Sequence, residues 1–345
     1  MSADLQRFRA LIGKAATAAP LSFDEAREAF TLMMAGDATP AQMAGLLMAM
    51  RVRGESVDEI AAGATVMRER MTRIRAPADA FDIVGTGGDA SGTHNISTAA
   101  AIVAAGAGLT VAKHGNRGVS SRSGAADVLT ALGVDIEAPM ASIERALEEV
   151  GIGFMMAPRH HGAMRHVAGP RLELATRTIF NLLGPLANPA GVTRQLTGVF
   201  APEWVEPIAA TLGRLGCARA WVVHGHDGLD EISTTGPTLV AEWTGERVRT
   251  FEIDPDEIGV PRATLGQLKG GDPAHNARAI RNLLAGGRGP LRDIVVFTVA
   301  AALVVADKAD DLRAGAAMAN GAIDDGRAAA ALDGLVRITR AEAAS

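Results

Sequence analysis

The chain has 345 residues, 48% of them hydrophobic and 21% charged, a composition typical of folded globular proteins that excludes a disordered chain. The net charge is −5 and aromatic residues make up only 3%, so the composition disfavours a general nucleic-acid binder. A single cysteine, Cys217, excludes an intrachain disulfide, and the apolar runs at 99–112 and 294–306 are too short to span a bilayer. Charges near the N-terminus disfavour a signal peptide, so we expect a soluble cytoplasmic protein without a membrane partner.

The first 75 residues are predicted to form a helical domain. Capping boxes begin at Ser22, Thr39 and Ser56, each with Glu or Gln three residues later. Apolar residues follow each box at helical spacing, and Gly36 and Gly54 stand where helices end. We interpret the Met-rich stripe of these helices as core.

The pattern changes to strand, loop, helix and strand after residue 76. A strand at 81–84, a helix at 96–105 and a strand at 109–112 form a βαβ unit, which indicates a parallel sheet. Further strands are predicted at 196–200, 219–223, 238–243 and 247–253, and further helices at 140–150, 203–215, 276–284 and 294–306. The predicted fold class is α/β: a small N-terminal helical domain and a larger α/β domain with a central, mostly parallel sheet.

The loop at 85–95 has the features of a phosphate site. Four glycines in eight residues allow close backbone approach, and the next helix directs its N-terminus at the loop. A dinucleotide site is disfavoured because no acidic residue occurs between Ala90 and Ala126, and the P-loop sequence is absent. A glycine-rich turn that merely joins strand to helix is the structural alternative.

Two more loops are expected at the same edge of the sheet. The segment 113–124 carries three cationic side chains and no acid, which favours a ligand with several phosphates. Asp230 and Glu231 follow a strand-like segment, and Mg²⁺ is commonly held by one or two carboxylates together with substrate phosphates.

In their order and spacing, these segments resemble the anthranilate phosphoribosyltransferase family. The matching segments are Gly-Thr-Gly-Gly-Asp at 85–89, Asn-Ile-Ser-Thr at 95–98, Lys-His-Gly-Asn-Arg at 113–117, Ser-Gly-Ala-Ala-Asp-Val-Leu at 123–129, Arg-Thr-Ile-Phe-Asn-Leu-Leu-Gly-Pro-Leu-Ala-Asn-Pro at 177–189 and Asp-Gly-Leu-Asp-Glu-Ile-Ser at 227–233. The family transfers phosphoribosyl from phosphoribosyl pyrophosphate to anthranilate, the second step of tryptophan biosynthesis from chorismate. The resemblance implies a homodimer, a helical domain of 1–75 completed by helices near 169–186, and an α/β domain of 76–168 and 187–345.

The resemblance also implies a role for individual residues. Phosphoribosyl pyrophosphate would contact Gly85, Gly88, Asp89, Thr93, Asn95, Ile96, Ser97, Thr98, Lys113, His114, Gly115, Asn116, Arg117, Gly118, Val119, Ser120, Ser121 and Ala125. Anthranilate would contact Gly85, Asn116 and Arg171, with Arg171 facing its carboxylate, and His114 would lie near its amine. Two Mg²⁺ per monomer would bind at Ser97 and at Asp230 and Glu231. Lys113, Asp230 and Glu231 would be catalytic, by neutralising the leaving pyrophosphate.

Departures from the family pattern and several alternatives accompany this interpretation: Gly118 replaces a common alanine, and His161-Gly162 stands where His-Pro is frequent. Ala125 stands where many relatives have a serine, which removes one hydroxyl from the expected phosphate site. A pyrimidine nucleoside phosphorylase shares the architecture, but its loop looks unlike 113–117. A non-catalytic relative that binds nucleic acid is disfavoured by the net charge. The histidine spacing does not favour zinc, and Cys217 is interpreted as a small buried residue rather than a nucleophile.

Overall fold

The computed structural model describes residues 3–17, 19–118 and 122–341. Its helices are α1 Ala3–Ala15, α2 Phe23–Ala35, α3 Pro40–Arg53, α4 Val57–Arg70, α5 Ile96–Gly106, α6 Ala125–Leu132, α7 Met140–Val150, α8 Ala157–His160, α9 Arg165–Leu174, α10 Phe180–Leu183, α11 Val205–Arg214, α12 Pro273–Leu284, α13 Pro290–Val305, α14 Leu312–Asp324 and α15 Arg327–Ala341. Its strands are β1 Phe81–Gly85, β2 Val111–Gly115, β3 Ile152–Met156, β4 Arg194–Gly198, β5 Arg219–Gly225, β6 Thr238–Trp243 and β7 Val248–Ile253. None of the helices in these ranges is long and apolar enough to cross a membrane.

The three predicted capping boxes start α2, α3 and α4. In the first, the Glu25 amide donates to Ser22 Oγ at 3.3 Å and the Ser22 amide donates to Glu25 Oε2 at 2.8 Å. The Glu59 side chain of the third box is fully buried, accepts from the Leu21 amide at 2.9 Å and pairs with Arg53 at 2.5 Å. The boxes therefore start each helix as predicted, and the third also links three segments of the bundle.

The helical bundle shares its core with one face of the sheet. Residues of α9 and α10 join the apolar cluster of α1–α4, and the Phe30 and Phe180 rings meet edge to face with centroids 5.8 Å apart. The same cluster continues through Ile208 on α11 to Val222 on β5. Helix α9 begins at residue 165, before the segment 169–186 expected from the family resemblance.

The sheet has seven strands in the order β3-β2-β1-β4-β5-β6-β7. The pairs from β3 to β5 are parallel, and β6 and β7 are antiparallel additions at one edge. This arrangement confirms the predicted fold class and the parallel βαβ unit. Strand β3 was not predicted, because its five residues are all buried and show no alternation that would distinguish a strand from a helix.

Strands β1 and β2 separate toward their carboxyl ends. They form a single register pair, whereas β1 pairs with β4 along five residues. Side chains replace the missing ladder: Asp82 accepts from the His114 amide at 3.4 Å and from Asn188 Nδ2 at 2.7 Å. Lys113 Nζ donates to the Ile83 carbonyl at 2.7 Å. The loops that follow the two strands therefore start apart, which leaves space between them.

Candidate active site

The loop after β1 has the backbone conformation that its glycines predict. Gly87 and Gly88 have φ of +69° and +80°, values that an L side chain rarely adopts. Ala90 has φ of +58° without being glycine, a strained conformation that costs on the order of 1 kcal/mol. Asp89 Oδ1 accepts from the Ser91 amide at 3.1 Å and stabilises the turn. The backbone of this loop thus forms a tight cradle.

Asp230 and Glu231 close this cradle from a different part of the chain. Asp230 Oδ2 accepts from the Gly87 amide at 2.6 Å, and Glu231 Oε1 accepts from the Ser97 amide at 3.1 Å. Burial raises the pKa of both carboxyl groups above the usual range. The charge of Asp89 raises the pKa of Asp230 further, and the charge of Asp230 does the same to the pKa of Glu231. The structure therefore brings together the two segments that the sequence predicted to share a ligand.

This carboxylate pair suits a hard cation. The donors are carboxylate, hydroxyl and backbone oxygens, the ligand set that Mg²⁺ prefers. The part of the chain that the structure describes holds no cluster of three or more His, Cys, Asp or Glu residues that would form a complete protein cage. Mg²⁺ usually completes its shell with waters and substrate phosphates, so an incomplete oxygen site beside a phosphate cradle fits this ion.

The Lys113 side chain is buried close enough to Asp82 and Glu231 for both charges to act on it. Lys113 is only 3% exposed, and its Nζ lies 3.4 Å from Ser97 Oγ. Burial lowers the pKa of Lys113, while the charges of Asp82 and Glu231 oppose that shift. Burial also raises the pKa of Asp82 to about 6. Lys113 therefore lies where a ligand phosphate would meet both the positive charge and the carboxylates.

The first turn of α5 adds polar groups to the same place. Asn95 precedes the helix, but its side chain makes no capping hydrogen bond. The hydroxyl of Thr98, on a residue 1% exposed, is buried without a partner among the described residues. Buried hydroxyls are normally hydrogen-bonded, so an unpartnered one at a helix N-terminus fits a site that binds an anion.

Three buried histidines, His114 on β2 and His160 and His161 after β3, lie close together. The His114 and His161 rings lie 5.1 Å apart, and His160 Nδ1 is 2.8 Å from the Thr72 carbonyl oxygen. Burial lowers the pKa of His114 to about 3 and that of His161 to about 4, so both are uncharged at neutral pH. Each of the three has a buried Nε2 without a partner among the described residues.

Arg171 lies on α9 with its guanidinium 5.3 Å from the centre of the Phe180 ring. Burial lowers the pKa of Arg171, and within the described ranges it forms no salt bridge. A half-buried arginine without a counter-ion suits a planar carboxylate, which the guanidinium binds with two parallel hydrogen bonds. The structure shows no hydrogen bond between Arg171 and Asn116, which lies exposed after β2.

Asp127 is a site-forming residue to which the sequence analysis gave no role. Its Oδ2 accepts from the amides of Gly118 and Gly124, both at 2.9 Å, and Oδ1 is 3.2 Å from the Arg117 guanidinium. A Cβ at Gly124 would overlap the Gly118 amide. Asp127 therefore closes the loop after β2, and its position three residues after the N-cap Gly124, as the third residue of α6, was the signal available.

Arg177 also contacts the site without having been assigned to it. Its guanidinium lies 4.4 Å from the centre of the Phe200 ring and donates to the Gly88 carbonyl. Of the remaining predicted residues, Val119, Ser120 and Ser121 lie outside the described residues. Ala125 begins α6, where its Cβ faces Gly115.

His224, His226 and Cys217 lie in other surroundings. His224 Nδ1 is 2.7 Å from the Val199 carbonyl oxygen, and His226 pairs with Glu252 at 2.9 Å. Cys217 Sγ donates to the Thr193 carbonyl at 2.9 Å, and burial raises the pKa of this thiol to about 11. A protonated thiol is a poor nucleophile, in agreement with the interpretation of Cys217 as a structural residue.

Comparison with known proteins agrees with this geometry. Residues 9–71 match the helical bundle domain of the glycosyl transferase family, and residues 77–329 match its α/β domain. The chain therefore belongs to this glycosyl transferase family and, within it, to the anthranilate phosphoribosyltransferases, as its similarity to the following relatives shows.

Three of these relatives cover nearly the whole chain. The anthranilate phosphoribosyltransferase of Rhodospirillum rubrum is 61% identical over 335 residues, 97% of this chain and 96% of that protein. The crystal structure of the enzyme from Thermus thermophilus is 47% identical with a TM-score of 0.91, over 96% of this chain and 99% of that one. The Saccharomyces cerevisiae enzyme in complex with PRPP and Mg is 28% identical with a TM-score of 0.87, over 96% and 97%.

Proposed function

We propose that this chain transfers the phosphoribosyl group of phosphoribosyl pyrophosphate to the amine of anthranilate, giving N-(5-phosphoribosyl)anthranilate and pyrophosphate. The reaction is the second step of tryptophan biosynthesis from chorismate. The observation that carries the proposal is the convergence of the glycine loop, Lys113 and the Asp230–Glu231 pair in a chain that matches this family over nearly its full length. In the reaction the bond from ribose C1 to the pyrophosphate oxygen breaks, a bond from C1 to nitrogen forms, and the amine loses a proton.

The phosphate-binding part of the proposal rests on two loops. The amides and hydroxyls of 85–98 would hold one end of phosphoribosyl pyrophosphate, and the loop that begins at Lys113 would enclose its pyrophosphate and ribose. The unpartnered Thr98 hydroxyl and the buried Lys113 ammonium support this placement. Ala125 cannot supply the hydroxyl that a serine would add there.

Departure of pyrophosphate is the difficult step, because negative charge accumulates on the leaving oxygens. Lys113 would stabilise that charge, and its burial supports this role because such interactions are strong where water is excluded. Two Mg²⁺ per monomer, held by Ser97 and by Asp230 with Glu231, would neutralise the pyrophosphate further when bound.

The anthranilate site would lie on the side of Arg171. Its unpaired guanidinium would bind the substrate carboxylate, with Asn116 and Gly85 as further contacts. The amine of anthranilate is already neutral near pH 7, so no strong base is needed to start the attack. The neutral His114 ring offers a buried Nε2 that can accept a hydrogen bond from this amine.

We further propose a helical domain of 1–75 completed by 169–186, and an α/β domain of 76–168 and 187–345. The edge-to-face contact of Phe30 with Phe180 supports this assignment. A homodimer and a cytoplasmic location stay predictions from the sequence.

The test is the loss of anthranilate fluorescence on addition of phosphoribosyl pyrophosphate, measured with and without Mg²⁺ and together with pyrophosphate release. We expect a decay that depends on Mg²⁺ and stops in the double variant Asp230→Asn, Glu231→Gln. Conversion of pyrimidine nucleosides with phosphate, without any anthranilate decay in folded protein, would contradict the proposal. Unchanged turnover of the double variant at saturating Mg²⁺ would remove these two residues from the mechanism.

A further inference from the structure

A segment near residue 270 packs directly against the glycine loop, although nothing in the sequence analysis linked the two. The His94 amide donates to the Leu268 carbonyl at 3.0 Å, and the Gly270 amide donates to the Gly92 carbonyl at 3.0 Å. A Cβ at Gly270 would lie 2.6 Å from the Thr93 carbonyl oxygen, so the two backbones are in close contact. The start of α12 is thereby held beside the start of α5.

Asn276 on α12 extends this contact into the phosphate site. The residue is 1% exposed, its Nδ2 donates to Asn95 Oδ1 at 2.9 Å, and its Oδ1 accepts from the Gly271 amide at 2.8 Å. Asn276 and Asn95 are 181 residues apart in the chain. The Gly271 amide fixes the orientation of the Asn276 side chain, so that its donor faces Asn95.

Asn95 is held from a second side by Ser123. Asn95 Nδ2 donates to the Ser123 carbonyl at 3.0 Å, and Ser123 Oγ donates to Asn95 Oδ1 at 3.0 Å. Asparagine at the position before a helix usually caps it, but this side chain makes no capping bond. Asn276 and Ser123 therefore set the orientation of the Asn95 side chain. Because that side chain does not cap α5, it leaves the amides of the first turn of the helix without a bond to Asn95.

We propose that Asn276 is a positioning residue for phosphoribosyl pyrophosphate: it acts through Asn95 to hold the N-terminus of α5 in the geometry that receives the substrate. This inference rests on the proposed function, in which Asn95 contacts that substrate. Asn276 itself does not touch the reacting atoms. A role only in packing α12 against the sheet would instead affect both substrates and would be independent of Asn95.

The decisive experiment combines Asn276→Asp and Asn95→Ala, alone and together. Aspartate keeps the volume of Asn276 but replaces the donor with an oxygen that repels Asn95 Oδ1. We expect the KM for phosphoribosyl pyrophosphate to rise about tenfold, the effect of losing one buried hydrogen bond, while the KM for anthranilate stays within about twofold. In the Asn95→Ala background, Asn276→Asp should have no further effect, because the residue through which it acts is gone.

Asn282→Asp is the matched control, since it makes the same change at an exposed position of the same helix, and we expect it to change neither KM. If Asn276→Asp does not fold, Asn276→Ala allows the same comparison, with calorimetric binding of phosphoribosyl pyrophosphate as the readout. Additive effects of the two changes, or an equal loss for both substrates, would overturn the inference while leaving the proposed reaction intact. An unchanged KM for phosphoribosyl pyrophosphate in Asn95→Ala would overturn both the assignment of Asn95 to that substrate and the inference about Asn276. The reaction itself is tested separately, by the fluorescence assay on the natural chain.

Discussion

The buried Lys113 and the half-buried Arg171 differ in whether carboxylates lie near their positive charge. Lys113 lies among Asp82 and Glu231, which oppose the effect of burial on its pKa. Arg171 has an aromatic ring beside it and, among the described residues, no carboxylate within salt-bridge distance. A buried charge without a partner is costly. We therefore expect the Arg171 guanidinium to take its counter-ion from a ligand, whereas the charges of Asp82 and Glu231 already offset that of Lys113.

Arg171→Ala should therefore raise the KM for anthranilate by about 10- to 100-fold, the effect of losing a charged hydrogen bond of about 1.5–3 kcal/mol. The KM for phosphoribosyl pyrophosphate should change little. Initial rates at varied concentrations of each substrate measure both values. Arg165→Ala, at an exposed arginine on the same helix, is the control and should be neutral. Equal increases for both substrates would show that Arg171 acts on the fold rather than on anthranilate.

At the scale of elements, the site depends on how closely the loop after β5 approaches the end of β4. A Cβ at Gly198, the last residue of β4, would overlap the carbonyl oxygen of Asp230. Gly198 also accepts from the Thr86 amide at 2.9 Å, so it contacts both loops. Glycine is required here for space, and the backbone of Asp230 could not otherwise come so near the glycine loop.

Gly198→Ala should separate the carboxylate pair from the glycine loop. We expect activity to fall about 100-fold, the effect of a displacement of about 1 Å in a site, with a loss of stability of about 1–3 kcal/mol from overpacking. Gly45→Ala in α3 is the control, because no heavy atom lies within 4 Å of the added Cβ. It should be neutral or stabilising by up to about 1 kcal/mol. Thermal unfolding and the fluorescence assay measure both effects. Full activity in Gly198→Ala would mean that the close approach is dispensable.

At the scale of the whole molecule, the helical bundle is not an independent core. Its buried cluster includes residues of α9 and α10, and continues through α11 to the face of β5. Phe30 is fully buried and packs edge to face on Phe180, which lies outside the first 75 residues. Removing the later segments would expose much of this apolar surface to water, and a bundle of this size has little stability to spare.

The isolated fragment 1–75 is therefore expected to unfold without cooperativity or to remain largely unfolded at 25 °C. Circular dichroism during heating of the fragment and of the full chain measures this difference. A fragment that unfolds in one sharp transition near the midpoint of the full chain would contradict the shared core. In that case the bundle would be a separate folding unit, and the apolar contacts with α9, α10 and α11 would contribute little.

The sequence by itself determined the helix starts of the bundle and the parallel unit around the glycine loop. These features are local: a capping box spans four residues, and a glycine loop between strand and helix is read from consecutive positions. The pairing of the glycine loop with Asp230 and Glu231 was predicted because loops after parallel strands meet at one edge of a sheet. The family resemblance depended on the order and spacing of these same segments.

Only the tertiary structure decided how these segments are held. The Asp82–Asn188 hydrogen bond, which helps to connect β1 to β2, joins residues 106 apart, and the Asn276–Asn95 contact joins residues 181 apart. Neither has a local signature, because each amide or carboxyl group is ordinary in its own sequence context. Strand β3 was missed because full burial removes the alternation of a strand. Helices α14 and α15 were not among the predicted helices, although each buries residues at helical spacing, such as Leu312, Ala316 and Ala319 of α14. Residue types determine what a site can bind, whereas packing over long distances determines whether those residues meet.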